Sequence, residues 1–247
     1  MTIIFYDFQL GTADAPWNPN TWKVRYTLNY KGLPFRTERL QYVDIEKTCK
    51  EKGIPPSNPD GEIKYTLPSI FDTSTGTGVS ESHRIAAYLD ETYPDTPKVI
   101  PAGTEALQTA WIAAIRPNLS AMWQFSLPGT LNILDHPESN DYFYRTRSVI
   151  FGKDLHEMRP QGEVAWDAAM KDLEKGFNVI DQWILKSGGP YVMGKTVSFA
   201  DFVVAGWLNW LQATVGKDSR EWQLIGTWNA GRWDKRLEQL AKYSNPQ

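Results

Sequence analysis

The first apolar stretch, Ile3-Ile4-Phe5-Tyr6 with Phe8, is a nearly unbroken β-branched and aromatic run, the pattern of a strand covered on both faces. A loop carrying Gly11, Asp14 and Pro16 follows. Asn18-Pro19 then opens a helix, because Asn is a favoured N-cap and proline is preorganised for the first helical position. Trp22, Tyr26 and Tyr30 repeat at helical spacing, and Lys31-Gly32 supplies a cationic last turn and a terminating glycine, so this helix runs from about Pro19 to Lys31. Phe35 to Leu40 reads as a second strand, and Asp44-Ile45-Glu46 starts a short helix ending near Gly53. Ser69-Ile70-Phe71 is a strand entered through Pro68, Thr73 to Gly78 a hairpin loop, and Val79 the return strand. After Glu81-Ser82, Ile85, Ala86 and Leu89 share one helical face. The order is βαβαββα, and its first βαβ unit must cross right-handed.

Beyond Tyr93-Pro94 the pattern changes. Asp95 to Gly103 has linker composition, and from Thr104 the periodicity is helical throughout. Ala106, Ala110, Ala113, Ala114 and Ile115 sit at helical spacings, stopping near Pro117 or resuming after it as a kinked helix through Leu119 to Phe125. Further helices are expected over Tyr142 to Leu155, Glu163 to Leu185 and Leu224 to Leu240. Ser198-Phe199-Ala200-Asp201 is a capping box opening an apolar helix from Phe202 to Leu211, which gives Ser198 and Asp201 a structural role. Two domains follow: residues 1–94 as an α/β unit, 95–103 as a linker and 104–247 as an all-α unit.

Charge and cysteine usage narrow the chemistry. Acidic residues number 29 against 26 basic, a net charge of −3, so there is no electrostatic case for binding nucleic acid. The single Cys49 excludes a disulfide framework, and three scattered histidines give no metal site. No apolar run approaches the roughly 18 residues of a membrane span, so no membrane partner and a cytoplasmic location are expected. The unusual feature is aromatic: 11 Trp, 11 Tyr and 10 Phe exceed what a core of this size needs, as in a protein with a cavity for flat apolar ligands, although extra core packing explains any one of them as well.

The candidate site lies in Thr66-Leu67-Pro68 and Glu81-Ser82. A helix N-terminus presents unpaired N–H groups, so Ser82 and its backbone suit a carboxylate, and Glu81 beside them suits an ammonium; an α-amino-acid end carries both. The plainer reading is that these two residues only cap their helix. If Leu67–Pro68 is cis, the Leu67 backbone turns outward as a peptide-recognising edge. In order and spacing these residues, with Ile85, Tyr88 and Leu89, resemble the thioredoxin-like N-terminal domain of the cytosolic glutathione transferases. The resemblance implies a cis Pro68, pairing of Leu67 with the cysteinyl backbone of glutathione, a γ-glutamyl end held by Glu81 and Ser82, and an all-helical second domain. It also implies glutathione as co-substrate, no metal, and a homodimer.

In that family a serine or cysteine precedes the proline that opens the first helix and contacts the glutathione sulfur; aligned through Pro19, Arg25 and Leu28, Asn18 holds this position. Its amide can donate to a thiolate but cannot form a mixed disulfide. Asn18 is therefore either a thiolate stabiliser or a simple N-cap, with the thiol served by a backbone N–H or by Thr12, Asn20 or Thr21. The run Pro16-Trp17-Asn18-Pro19-Asn20-Thr21-Trp22-Lys23, with Asn29 to Leu33, resembles the fungal FuA class related to bacterial lignin β-etherases, in which serine is usual at the Asn18 position. That resemblance implies binding of wood phenolics and flavonoids with modest conjugating activity. Trp17, Trp123 and Phe125 are the expected walls of the aromatic pocket, with helix–helix core as the competing role of the last two. Two functions stand: a transferase acting on small aromatic compounds, or a ligandin that sequesters them.

Overall fold

The computed structural model describes residues 2–10 and 15–245. β1 (Ile3–Phe8), β2 (Phe35–Leu40), β3 (Ser69–Asp72) and β4 (Thr77–Ser80) form one sheet in the order β2-β1-β3-β4. β1 runs parallel to β2, with Ile3 opposite Phe35, and antiparallel to β3, with Tyr6 opposite Ser69. This small mixed sheet is buried on both sides, which is why β1 carries no polar alternation. On one side Ile3, Phe5 and Ile70 meet Val24 and Leu28 of α1 (Pro19–Lys31) and Ile85 and Leu89 of α3 (Ser82–Thr92). On the other, Ile4, Tyr6 and Phe8 join a larger core that also contains Cys49 of α2 (Ile45–Glu51) and continues into the second half of the chain.

Two buried ion pairs fix α1. Arg25 donates from Nη2 to Asp7 Oδ2 at 2.9 Å, both side chains fully enclosed, which ties the helix to β1. At its other end Lys31 Nζ lies 2.7 Å from Asp90 Oδ1, and the Asp90 carboxylate also accepts the N–H groups of Val99 and Ile100. The connecting segment is thus bonded and docked, with Val99 and Ile100 buried.

The rest is helical: α4 (Glu105–Asn118), α5 (Trp123–Ile133), α6 (Pro137–Phe151), α7 (Gly162–Leu185), α8 (Phe199–Val215), α9 (Arg220–Thr227) and α10 (Arg232–Leu240). Several boundaries differ from the sequence expectation. The helix expected from Leu119 to Phe125 begins, as α5, only at Trp123 and runs on to Ile133. α6 starts and ends earlier, because His136 caps it ahead of Pro137 and Gly152 ends it in the left-handed region at φ 62°. α8 is longer at both ends than Phe202 to Leu211. The single helix expected over Leu224 to Leu240 is two, broken where Asn229, Ala230 and Gly231 all take positive φ. Asn229 is held there by one long-range bond, donating to Asn178 Oδ1 at 2.6 Å, and one local bond, accepting from Trp233 Nε1 at 2.7 Å. Pro117 stands one residue before the end of α4, where it stops the helix.

α8 is the spine of the helical half. Phe202 stacks on Tyr26 of α1 with centroids 5.5 Å apart, and Asn209 Nδ2 donates to the Tyr26 hydroxyl at 2.8 Å. A Cβ at Gly206 would lie 2.4 Å from the Pro19 carbonyl oxygen, so glycine is what lets α8 reach the first turn of α1. α4 is aligned against the start of α8 by Gln108, whose Oε1 accepts the Ala200 N–H at 2.8 Å, and by Trp111, whose Nε1 donates to the Ala200 carbonyl at 3.2 Å.

Candidate active site

A cleft of about 430 Å³ opens between the two halves. One wall is Thr66, Leu67, Pro68, Glu81, Ser82 and His83; the other is Asn20 and Lys23 of α1 with Thr109, Ile112 and Ala113 of α4. Four residues named from the sequence, Leu67, Pro68, Glu81 and Ser82, therefore meet on one surface. The Leu67–Pro68 bond is cis. Among the described residues the Leu67 N–H and C=O have no hydrogen-bond partner, which leaves a peptide edge open to the cleft.

Glu81 takes φ 77°, a region that non-glycine residues occupy at a cost of about 1–3 kcal/mol unless surroundings hold them. Here the surroundings do. Its carboxylate folds back over the start of α3 and accepts the His83 N–H at 3.1 Å from each oxygen, the Arg84 N–H at 3.0 Å and the Ser82 hydroxyl at 3.2 Å. The N-terminal donors of α3 are thus occupied by the chain's own acid, and Glu81 caps the helix while keeping its charge at the cleft.

Asn18 is an N-cap. Its Oδ1 accepts the Asn20 N–H at 2.9 Å and the Thr21 N–H at 3.3 Å, and the Thr21 hydroxyl donates to the Asn18 carbonyl at 3.2 Å. The amide Nδ2 is the polar end left over. Asn18 does not itself line the cleft; Asn20, one position into the helix, does. Thr12, also named from the sequence as a thiol neighbour, lies outside the described residues, as do Gly11 and Asp14 of its loop.

The aromatic wall needs correction at two residues. Trp17 is 1% exposed and packs on Phe8 at 5.5 Å, and Phe125 is fully enclosed beneath α8; a ligand reaches neither without opening the core. Their aromatic bulk fills the junction between the halves. Trp123 is half-buried and belongs to a cluster with Trp207 at 5.1 Å and Trp210 at 5.7 Å.

The residue that sequence reading passed over is Lys23. It is 6% exposed, donates from Nζ to Asn20 Oδ1 at 2.8 Å, and sits 5.3 Å from the centre of the Trp207 ring. Burial pulls its pKa down from 10.5 to about 8, the nearby Glu81 charge resisting and Arg116 assisting. The available signal was a lysine on the face that Tyr26 and Trp22 already marked as turned toward other parts of the protein. Cys49, by contrast, is buried 4.0 Å from Ser69 Oγ with its thiol pushed up by burial, a poor nucleophile.

Away from the cleft, Asp201 accepts the Ser198 N–H at 2.9 Å, the Ser198 hydroxyl at 3.1 Å and the Val192 N–H at 2.8 Å, fastening the start of α8. Among the described residues no group of three His, Cys, Asp or Glu is placed to hold a metal, and no helix is long and apolar enough to cross a membrane.

Two family profiles match this chain: "Glutathione S-transferase, N-terminal domain" over residues 17–92 and "Glutathione S-transferase, C-terminal domain" over residues 106–243. The chain belongs to the glutathione S-transferase family. Among relatives, the glutathione S-transferase-like protein ustS of Aspergillus flavus is 34% identical over 212 residues, spanning 81% of this chain and 75% of that protein. Among solved structures, a glutathione S-transferase of Ceriporiopsis subvermispora in complex with glutathione is 42% identical with a TM-score of 0.91, covering 98% of this chain and 97% of the other. Glutathione transferase GSTFuA3 of Phanerochaete chrysosporium is 38% identical with a TM-score of 0.88, again covering 98% and 97%. The glutathione S-transferase fold, a small mixed sheet with its helices followed by a helical half, is what the described residues show.

Proposed function

We propose that this transferase binds glutathione in the cleft between Pro68 and α4 and joins its thiol to small aromatic electrophiles. The observation that carries the reading is the meeting, on one surface of about 430 Å³, of an unpaired peptide edge at Leu67 with Glu81 and Ser82. The Leu67 N–H and C=O suit the cysteinyl backbone of a tripeptide, and Glu81 and Ser82 suit its amino-acid head. That a related structure was solved with glutathione supports the same ligand.

The thiol then lies near the start of α1, whose partial positive charge favours a thiolate. Asn18 keeps the cap through Oδ1 and has its Nδ2 donor left over at the same helix start. A thiol pKa lowered by roughly two units needs about 3 kcal/mol, within reach of one amide donor and a helix end. The half-buried tryptophans Trp123 and Trp207 supply flat apolar surface for a phenolic acceptor.

One observation favours a second reading. Because Asn18 Oδ1 is committed to two backbone N–H groups, the side chain is held by the helix and cannot rotate to follow a reacting sulfur as a hydroxyl would. A ligandin that retains glutathione and aromatic compounds with little turnover fits this. Steady-state conjugation of chlorodinitrobenzene, beside calorimetric titration with glutathione and a flavonoid, separates the two. Asn18→Ser keeps an N-cap oxygen and adds the O–H, so we expect glutathione affinity within about twofold and turnover raised roughly tenfold or more. No heat on titrating the wild-type protein with glutathione would sink the reading.

A further inference from the structure

The amino-acid head of the ligand presents a carboxylate as well as an ammonium, and on the Glu81 wall the donors left for the carboxylate are the Ser82 N–H and hydroxyl, right beside the Glu81 charge. Glu81 has taken the His83 and Arg84 N–H groups, so the start of α3 cannot also serve a second anion at those positions. The Ser82 hydroxyl is one donor, and at present it too points at Glu81. A carboxylate held there beside Glu81 is favoured by a cation on the facing wall, which offsets the repulsion between the two acids.

Among the described residues, Lys23 is the one lysine or arginine lining the cleft. Its ammonium has three N–H donors, of which Asn20 Oδ1 accepts one. Trp207 backs the ammonium, and α8 passes close enough at Gly206 that a Cβ built there would lie 3.6 Å from Lys23 Cγ. The charge is thus held in place before a ligand arrives. Resting on the glutathione reading above, we propose that Lys23 is a specificity-determining residue that pairs with the α-carboxylate of the γ-glutamyl residue, while Glu81 pairs with its α-ammonium. The two protein charges are complementary to the zwitterion and to each other, which explains how a lysine tolerates this degree of enclosure. Burial alone would drive Lys23 toward the neutral amine; the Glu81 charge opposes this, and a bound carboxylate adds to that opposition.

The competing role is structural, a lysine that only bridges α1 to Trp207. The two roles separate by ligand chemistry. Calorimetric titration is done on the wild-type protein and Lys23→Met with three ligands: glutathione, its analogue lacking the α-carboxylate (γ-aminobutyryl-cysteinyl-glycine), and its C-terminal amide. For the wild type we expect loss of the α-carboxylate to weaken binding about 10- to 100-fold. Lys23→Met should lose a similar factor for glutathione and for the amide, yet bind the decarboxylated analogue as the wild type does. Lys23→Gln serves as the second variant, with thermal unfolding confirming that each variant is folded. Equal affinity of wild type and variant for glutathione overturns this inference alone, as does a loss that persists with the decarboxylated analogue or disappears with the amide. Absence of glutathione binding by the wild type overturns the tripeptide reading instead, and this inference with it.

Discussion

The two walls of the cleft are made differently. Leu67, Pro68, Glu81 and Ser82 come from one short stretch in which a proline, a hairpin and a helix start set the geometry almost by themselves. The facing wall gathers Asn20 and Lys23 from α1, Thr109, Ile112 and Ala113 from α4, and backs them with Trp207 from α8. The first wall rests on local backbone chemistry: an N-terminal cap, a strained Glu81 and a turn. The second exists only while three helices from distant parts of the chain stay packed. The unpaired peptide edge is therefore a property of a segment, whereas the cation on the facing wall is a property of the assembly.

Three perturbations sharpen this contrast, beginning with the largest. Asp7→Ala leaves Arg25 buried and unpaired between β1 and α1, a loss expected at about 3–5 kcal/mol in urea unfolding. A loss below about 1 kcal/mol would mean that apolar packing alone keeps α1 facing the sheet-side wall. Gly206→Ala pushes a methyl to 2.4 Å from the Pro19 carbonyl, so α8 must retreat from α1. We expect about 1–3 kcal/mol of destabilisation together with weaker glutathione binding, since Lys23 loses its backing. Unchanged binding would show that the helix-side wall tolerates movement, and the contrast between the walls would then fail.

The third effect, small at any one pH near neutrality, is a dependence on pH. Folded Lys23 gives up its proton near 8, while the unfolded chain holds it until about 10.5. Between these values the unfolded state binds more protons, so the Lys23 contribution to stability rises with pH, by at most about 1.4 kcal/mol per unit. In urea midpoints taken from pH 7 to 10, Lys23→Met should lack this rise. A parallel pair of curves would place the Lys23 amine in contact with water and remove its special position.

Much of this was readable beforehand. α1 begins and ends at Pro19 and Lys31, as its Asn cap, N1 proline and terminal glycine require, and β2 occupies Phe35 to Leu40. Such signals are local, a few residues deciding the fate of neighbouring backbone groups. The errors were of another kind. The break at Asn229 to Gly231 lies inside a pattern that continues on either side, and it is held by a long-range bond to Asn178 as well as by the local one to Trp233. Trp17 and Phe125 were assigned to a ligand wall because they are aromatic, yet the same bulk serves equally to fill a junction between two layers.

By itself the amino-acid order determined the sheet's strands and the acid–hydroxyl pair at the start of α3, because each is signalled by residues within a few positions of one another, whereas the cis Pro68 was implied only by the resemblance. Only the tertiary structure decided which aromatics are enclosed, that the segment after Tyr93 is docked through Asp90, and that Lys23 stands across from Glu81. Burial and charge pairing depend on distances between segments far apart in the chain, and those distances are set when α8 settles against α1 at Gly206.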